Sequence, residues 1–298
     1  MAGRPARSAV VEGALWMLAQ AAAFSAMVAT VRWLSPSFSP YEIVLFRCLV
    51  ACALQLPWFL REGRRELTTD RRGTVCARGV FGFAGMAAWF AALGLVPLTD
   101  AVALQFTQPL FIIVGAALIL GEGVGARRAV ATLIGFAGAL VIIRPGFEAV
   151  SPAILLVLVS VAFYAGTHLM TKSLAGRFSG AMLSFQFHAI ALPLALVPSL
   201  ADWSGPRWEH VPWILALGGF GTLAHMFLGR AYRLADASIV IPIDFSKLVM
   251  AAILGYVLFA ETSDVWTWVG AVVIFAATTY VTRHESRRAR AAASARGA

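Results

Sequence analysis

Charge is what this sequence lacks. Only 13% of its 298 residues are Asp, Glu, Lys or Arg, about half the ~25% of soluble domains. Hydrophobic residues make up 60%, and the mean hydropathy is +0.79. A water-soluble domain of this length could not hide so much apolar surface, whereas a chain crossing a bilayer many times has no need to. Cysteine is scarce as well. Cys48 and Cys52 stand one helical turn apart in an apolar run, Cys76 is alone, and none has metal-ligand spacing. The three read as small buried hydrophobes, and neither a metal nor a cofactor is expected. Catalytic signatures are missing too. The 15 acidic residues are scattered, with no Asp-rich run, no His-Glu-x-x-His and no phosphate loop. That speaks against an embedded prenyl or lipid transferase, and no enzyme is expected. A channel filter needs charged or carbonyl-rich rings, which one Lys and one Asp inside a run do not make.

The charge that is present is sorted. A net charge of +9 and a pI near 10.3 would suggest nucleic acid in a soluble protein. Here the basic residues cluster beside apolar runs, at Arg64-Arg65, Arg71-Arg72, Arg127-Arg128 and Arg287-Arg288, as topogenic charge near anionic lipid does. The partner expected is therefore the lipid bilayer, not nucleic acid. Ten runs are apolar: 9–34, 41–60, 75–96, 101–121, 129–145, 152–174, 180–200, 211–232, 237–260 and 265–283. Crossing ~30 Å of hydrocarbon takes about 20 residues. The first run, after Arg4 and Arg7, outlasts the ~7–15-residue core of a signal peptide and reads as a span. Of the 24 basic residues, all but Arg32, Arg47, Arg144, Arg207 and Lys247 lie at the ends or beside alternate gaps. Cytoplasmic loops retain Lys and Arg, so both termini are predicted to be cytoplasmic. The outer gaps then hold Asp100, Glu148, Asp202, Glu209, Glu261 and Asp264.

Ten spans divide into five and five, and the second five start on the opposite side. Inverted halves mark secondary transporters. Leu98-Thr99-Asp100-Ala101 is echoed by Leu234-Ala235-Asp236-Ala237. Each introduces a span with one proline, Pro109 or Pro242, that closes at Leu120-Gly121-Glu122 or Phe259-Ala260-Glu261, the intervals differing by three residues. The fold class predicted is an all-α integral membrane protein. Its ten transmembrane helices form two inverted five-helix repeats, 1–146 and 147–284, around a central cavity. Residues 285–298 form a basic cytoplasmic tail, expected to be disordered.

Polar residues inside runs are few enough to weigh singly. Lys247 lies mid-span with Asp244 three residues before it on the same face. Charge at that depth is costly and faces protein or a water-filled cavity. At the 136-residue interval from Asp100 to Asp236, Asp244 matches Gln108, and Gln105 stands three residues from Gln108. Each half thus offers a polar face beside a proline that removes a backbone donor. Helices broken at equivalent points mark transporter binding sites. The plainer alternatives are a local ion pair and harmless kinks. Arg47, about 8 Å below the end of its span at 1.5 Å per residue, and Glu42 are gating or structural charges. Arg47 would snorkel outward or pair with Glu42. His168, His188 and His225 are packing residues or proton relays. Gly79, Gly82 and Gly85, with Gly218, Gly219 and Gly221, mark two close-packing helices.

Three stretches together carry a resemblance. They are Trp33-Leu34-Ser35 with Phe38 through Arg47, Asp100-Ala101 through Gln108-Pro109 to Gly121-Glu122, and the ninth run to Glu261. Over about residues 10–283 the chain resembles the drug/metabolite transporter superfamily, and within it the EamA-type ten-helix permeases. The resemblance implies two bundles around a cavity lined by the first, third, fourth, sixth, eighth and ninth spans. Trp89, Phe163, Tyr164 and His168 thereby join Gln105, Gln108, Asp244 and Lys247 as substrate-site candidates, with Phe90 and Phe106 beside them. It also implies a small-molecule substrate, alternating access, a monomer and a bacterial-type inner membrane. Amino-acid and related metabolite export is the activity expected. Uptake of a nucleoside-like or other small metabolite, or drug efflux, is the alternative.

Overall fold

The computed structural model describes the backbone of residues 7–63, 71–120, 125–144, 151–174, 177–235 and 237–296, and every regular element among them is helical. The helices are α1 (Arg7–Leu34), α2 (Pro40–Arg61), α3 (Arg72–Leu93), α4 (Leu98–Gln105), α5 (Gln108–Leu120), α6 (Ala126–Ile143), α7 (Pro152–Leu174), α8 (Gly180–Ser199), α9 (Val211–Leu234), α10 (Ala237–Asp244), α11 (Ser246–Phe259) and α12 (Val265–Arg296), with a 3₁₀ turn at Trp208–His210. Among the described residues nine helical segments are long and apolar enough to cross a membrane. The tenth, α6, has a shorter apolar stretch, Ala129–Ile143, and packs along α12. The tenfold crossing read from hydropathy is therefore the architecture, with α4–α5 and α10–α11 each making one broken span.

Local rules place the helix ends. Ser39 and Ser179 cap the second helix of each repeat, their hydroxyls accepting from Glu42 N at 3.3 Å and Met182 N at 3.1 Å. Glu42 completes a capping box by accepting from Ser39 N at 2.8 Å. One end departs from expectation. Residues 285–298 read as a disordered tail, but α12 stays helical through Arg296. That stretch is rich in Ala and Arg, both strong helix formers, and holds no breaker before Gly297.

The two halves interlock. α1 packs most extensively on α9 and α3 on α7, which is the same pairing with the repeats exchanged; α2 packs on α8 and α6 on α12. At the α6–α12 crossing a Cβ built on Gly270 would lie 2.5 Å from the carbonyl oxygen of Gly138, so backbones touch there and only glycine fits. The other glycine crossings repeat across the halves. Gly79 packs under Ile190 and Gly82 under Phe187, while Gly218 packs under Val50 and Gly221 under Arg47. Gly79 to Gly218 and Gly82 to Gly221 are both 139 residues, and Val50 to Ile190 and Arg47 to Phe187 are both 140.

The two ends of the bundle differ. At the end away from the termini, buried residues of both repeats form one continuous core, Leu34, Ile43, Leu93, Val157, Ala195 and Leu217 among them. At the end bearing the termini, the described apolar residues form separate groups. One joins Val75, Leu174, Phe178, Met182 and Leu183; one joins Met17, Ala231 and Val240; one joins Ile113, Ala131 and Val281.

Candidate functional site

Both broken helices break at equivalent residues. α4 stops at Gln105, the chain turns through Phe106 and Thr107, and α5 starts at Gln108; α10 stops at Asp244, turns at Phe245, and α11 starts at Ser246. Aligned on the last residue of α4 and of α10, Gln105-Phe106-Thr107-Gln108 corresponds to Asp244-Phe245-Ser246-Lys247, 139 residues on. This corrects the 136-residue register: Asp244 answers to Gln105, and Lys247 to Gln108. The three-residue difference falls before the breaks, so counting from Asp100 and Asp236 misaligns the break residues themselves. The prolines are not equivalent either. Pro109 is the second residue of α5, where a helical N–H has no partner to lose. Pro242 lies inside α10 and removes a donor just ahead of its break.

The breaks meet. Phe106 and Phe245 stack with ring centroids 3.9 Å apart. Lys247 Nζ stands 2.7 Å from Asp244 Oδ2, and 5.0 and 5.1 Å from the ring centroids of Phe24 and Phe106, within cation–π range. Ser25 on α1 donates its hydroxyl to the Lys247 carbonyl at 3.2 Å. The ion pair is mostly enclosed, with Lys247 and Asp244 side chains 15% and 20% exposed. Asp244 Oδ1 and Ser246 Oγ are buried without a hydrogen-bond partner. Buried polar atoms in folded proteins are nearly always paired, so these two hold hydrogen-bonding capacity that the protein itself does not use. Phe24, Ser25 and Phe245 were not foreseen. Phe245 was legible in the sequence, as the counterpart of Phe106 in the 139-residue register.

The remaining candidates separate. Gln105 and Gln108 are half-buried beside their break. Trp89 is only 2% exposed, inside the continuous core, with Nε1 unpartnered. Phe163 packs edge-on against Phe81 at 5.4 Å, Tyr164 lies half-buried against the core, and His168 is exposed on α7. The expected Glu42–Arg47 pair does not form, because five residues set two side chains on different faces of a helix. Glu42 instead binds the 200–210 loop, accepting from Ser204 N at 2.8 Å. Arg47 does not snorkel; it is 5% exposed and its Nη1 donates to Met86 Sδ at 2.8 Å.

At the end away from the termini, several polar contacts join one repeat to the other. Arg32 pairs with Glu261 at 3.1 Å, and the other oxygen of Glu261 accepts from Leu98 N at 2.8 Å. Arg144 pairs with Asp264 at 2.6 Å. Thr267 donates to Asp100 and Ser263 to Thr99, both at 2.7 Å.

Comparison with known proteins finds transporters. The chain is similar to the riboflavin transporter of Rhizobium johnstonii, 33% identical over 293 residues, covering 97% of this chain and 96% of that one. It is similar to the S-adenosylmethionine uptake transporter of Rickettsia bellii, 28% identical over 274 residues, covering 91% and 94%. It is also similar to the pseudopaline exporter CntI of Pseudomonas aeruginosa, 30% identical over 257 residues, covering 85% and 90%. These relatives carry small metabolites, and they do not support the expectation of amino-acid export. The EamA-like transporter family matches twice, at residues 11–144 and 151–283, one match to each half of the interlocked bundle. The chain belongs to the EamA-like transporter family, as a multi-pass membrane carrier and not an enzyme.

Proposed function

We propose that this chain is an alternating-access uptake carrier for a small heteroaromatic metabolite of the riboflavin or S-adenosylmethionine kind. The observation that carries this reading is the aromatic setting of the central ion pair: Phe24, Phe106 and Phe245 around Asp244 and Lys247, where the two broken helices meet. Flat rings stack on such faces, and Asp244 Oδ1 and Ser246 Oγ, buried without partners, have hydrogen-bonding capacity for a substrate's polar edge once it displaces what covers them. Export, the direction named for CntI, is the second reading. The test is counterflow in proteoliposomes with labelled riboflavin, labelled S-adenosylmethionine and a panel of amino acids. Saturable exchange of a ring-bearing compound is expected. Exchange of amino acids alone would overturn the reading.

Alternating access is supported by the difference between the ends. One is sealed by a continuous core and cross-repeat bonds, and the other is divided into separate clusters. With termini cytoplasmic, as the basic residues suggest, this is the inward-facing state of a monomer in a bacterial-type inner membrane. Cysteines placed at Arg177 and Glu209, in a background without native cysteine, report the orientation. An impermeant thiol reagent should label only the Glu209 position in intact cells.

A further inference from the structure

Among the described residues two arginines are buried in the bundle, and they are treated differently. Arg78, 7% exposed, gives Nε to Thr171 Oγ1 at 2.7 Å and Nη1 to the Leu183 carbonyl at 2.9 Å, so its guanidinium is anchored by good acceptors. Arg47, 5% exposed, has no such anchors. No carboxylate among the described residues pairs with it. Its contacts are a thioether, a weak acceptor, and the Phe90 ring at 6.0 Å, the outer limit of a cation–π contact. Its Nε is buried with no partner. A buried charge left uncompensated is strongly unfavourable.

Packing does not require the charge. The repeats supply an internal control, because the residue that answers to Arg47 is Phe187, which crosses Gly82 as Arg47 crosses Gly221. A hydrocarbon ring fills the equivalent position, so the guanidinium in the first half does something other than fill space.

Histidines stand next to it. On α9, His225 lies one turn from Gly221, whose Cβ would come within 2.9 Å of Arg47 Nε; residues four apart share a helix face. The exposure of His225 therefore opens into the bundle, on the side toward the divided end. The ring of His188, 3% exposed, lies 6.5 Å from that of His225. Each Nδ1 faces a backbone carbonyl, of Ser184 at 2.9 Å and of Gly221 at 2.8 Å. A carbonyl only accepts, so each Nδ1 carries the proton and each Nε2 presents a lone pair, which holds an acidic group by sharing that group's own proton. We infer that Arg47, His188 and His225 form a binding site for one oxyanionic group, a carboxylate or a phosphate, of the transported metabolite. Arg47 supplies the charged fork that matches such groups, and the open side at His225 supplies the approach. This rests on the carrier reading above and adds to it: the cargo has an acidic group, which S-adenosylmethionine has and riboflavin lacks.

The test uses the full-length protein in detergent at fixed pH and ionic strength. Its melting temperature is read in sodium acetate, in sodium phosphate and, as reference, in sodium chloride. Acetate or phosphate should raise the wild-type Tm by about 3 °C or more over chloride, as a ligand well above its Kd does. The arm that gives the larger rise identifies the group. Arg47→Phe, which copies the other repeat, should fold and lose that rise. The double change His188→Gln with His225→Gln should diminish it, and serves alone if Arg47→Phe fails to fold. A wild type indifferent to both anions, or variants that keep the full rise, would overturn the site. Counterflow of riboflavin and S-adenosylmethionine on the same preparations tests the carrier reading separately. If neither moves while the anion-dependent rise persists, the uptake reading falls and the anion site stands.

Discussion

Around the break in the first repeat stand Gln105, Thr107 and Gln108; around the break in the second stand Asp244, Ser246 and Lys247. The backbone does the same thing in both places, and each break contributes one ring to the Phe106–Phe245 stack. The side chains differ in kind, neutral amides against an ion pair. The glycine crossings show the same divergence in the other direction, with Arg47 in the first repeat where the second has Phe187. Duplication has kept the frame, because glycine contacts and helix breaks tolerate little change. It has let the charges drift, so each half carries a cationic group the other lacks. The result is one frame carrying two unequal sets of polar side chains.

The largest effect should come from the charged break. Asp244→Asn or Lys247→Met alone strands a buried charge, costing about 3–5 kcal/mol of stability, and should cut counterflow by about tenfold or more, the equivalent of 1.4 kcal/mol. The double variant should recover most of the thermal stability in detergent and little of the flux. Wild-type flux in the double variant would make the pair structural and erase the functional difference between the breaks.

Next comes the seal at the end away from the termini. Glu261→Gln removes the partner of Arg32 and weakens the acceptor for Leu98 N. Because Arg32 is a quarter exposed, the loss is about 1 kcal/mol, enough to shift a two-state equilibrium about fivefold. A single cysteine at Leu98 should become several-fold more reactive to an impermeant thiol reagent in Glu261→Gln than in the parent. Unchanged reactivity would mean the apolar core alone holds that end shut.

Smaller still is the neutral break. Gln105→Ala and Gln108→Ala should each lower flux by about two- to threefold, the ~0.5 kcal/mol of a weak neutral hydrogen bond. Losses as large as those at Asp244 would show that both halves contact cargo equally.

The smallest effect concerns Asp264. The backbone N–H of Trp266, 3.0 Å from its Oδ1, holds its carboxyl below the ordinary carboxylate range, and Arg144 adds to this. A carboxyl depressed in the folded state stabilises above its unfolded pKa, and that contribution is lost as pH falls through the folded pKa. Melting temperature against pH should therefore fall slightly less steeply below about pH 4 in Asp264→Asn than in wild type. The difference should be small, because Asp264 is exposed to solvent.

Much of the site was partly legible. Asp244 and Lys247 stand out because a charged pair inside an apolar run has few reasons to exist. The repeat itself was visible in Leu98–Ala101 and Leu234–Ala237. Its register was not, because proline positions suggest where a helix weakens without fixing where the hydrogen-bond ladder stops. Pro109 comes after its break and Pro242 precedes its own. Arg47 was read through its neighbour in sequence, Glu42, whereas its surroundings come from helices α3 and α9. No local pattern announces that Met86, Phe90 and Gly221 converge on one guanidinium.

The sequence by itself determined the class, the number of crossings and the inverted duplication. Those depend on the length of apolar runs and on repeated local motifs, which are properties of each segment alone. Only the tertiary structure decided which face of each span meets which partner, where the two ladders break, and which of the buried charges has a thioether as its acceptor in place of an oxygen. Those depend on helices far apart in the chain coming within a few ångströms, and a buried charge is compensated, or not, by whatever the fold places beside it.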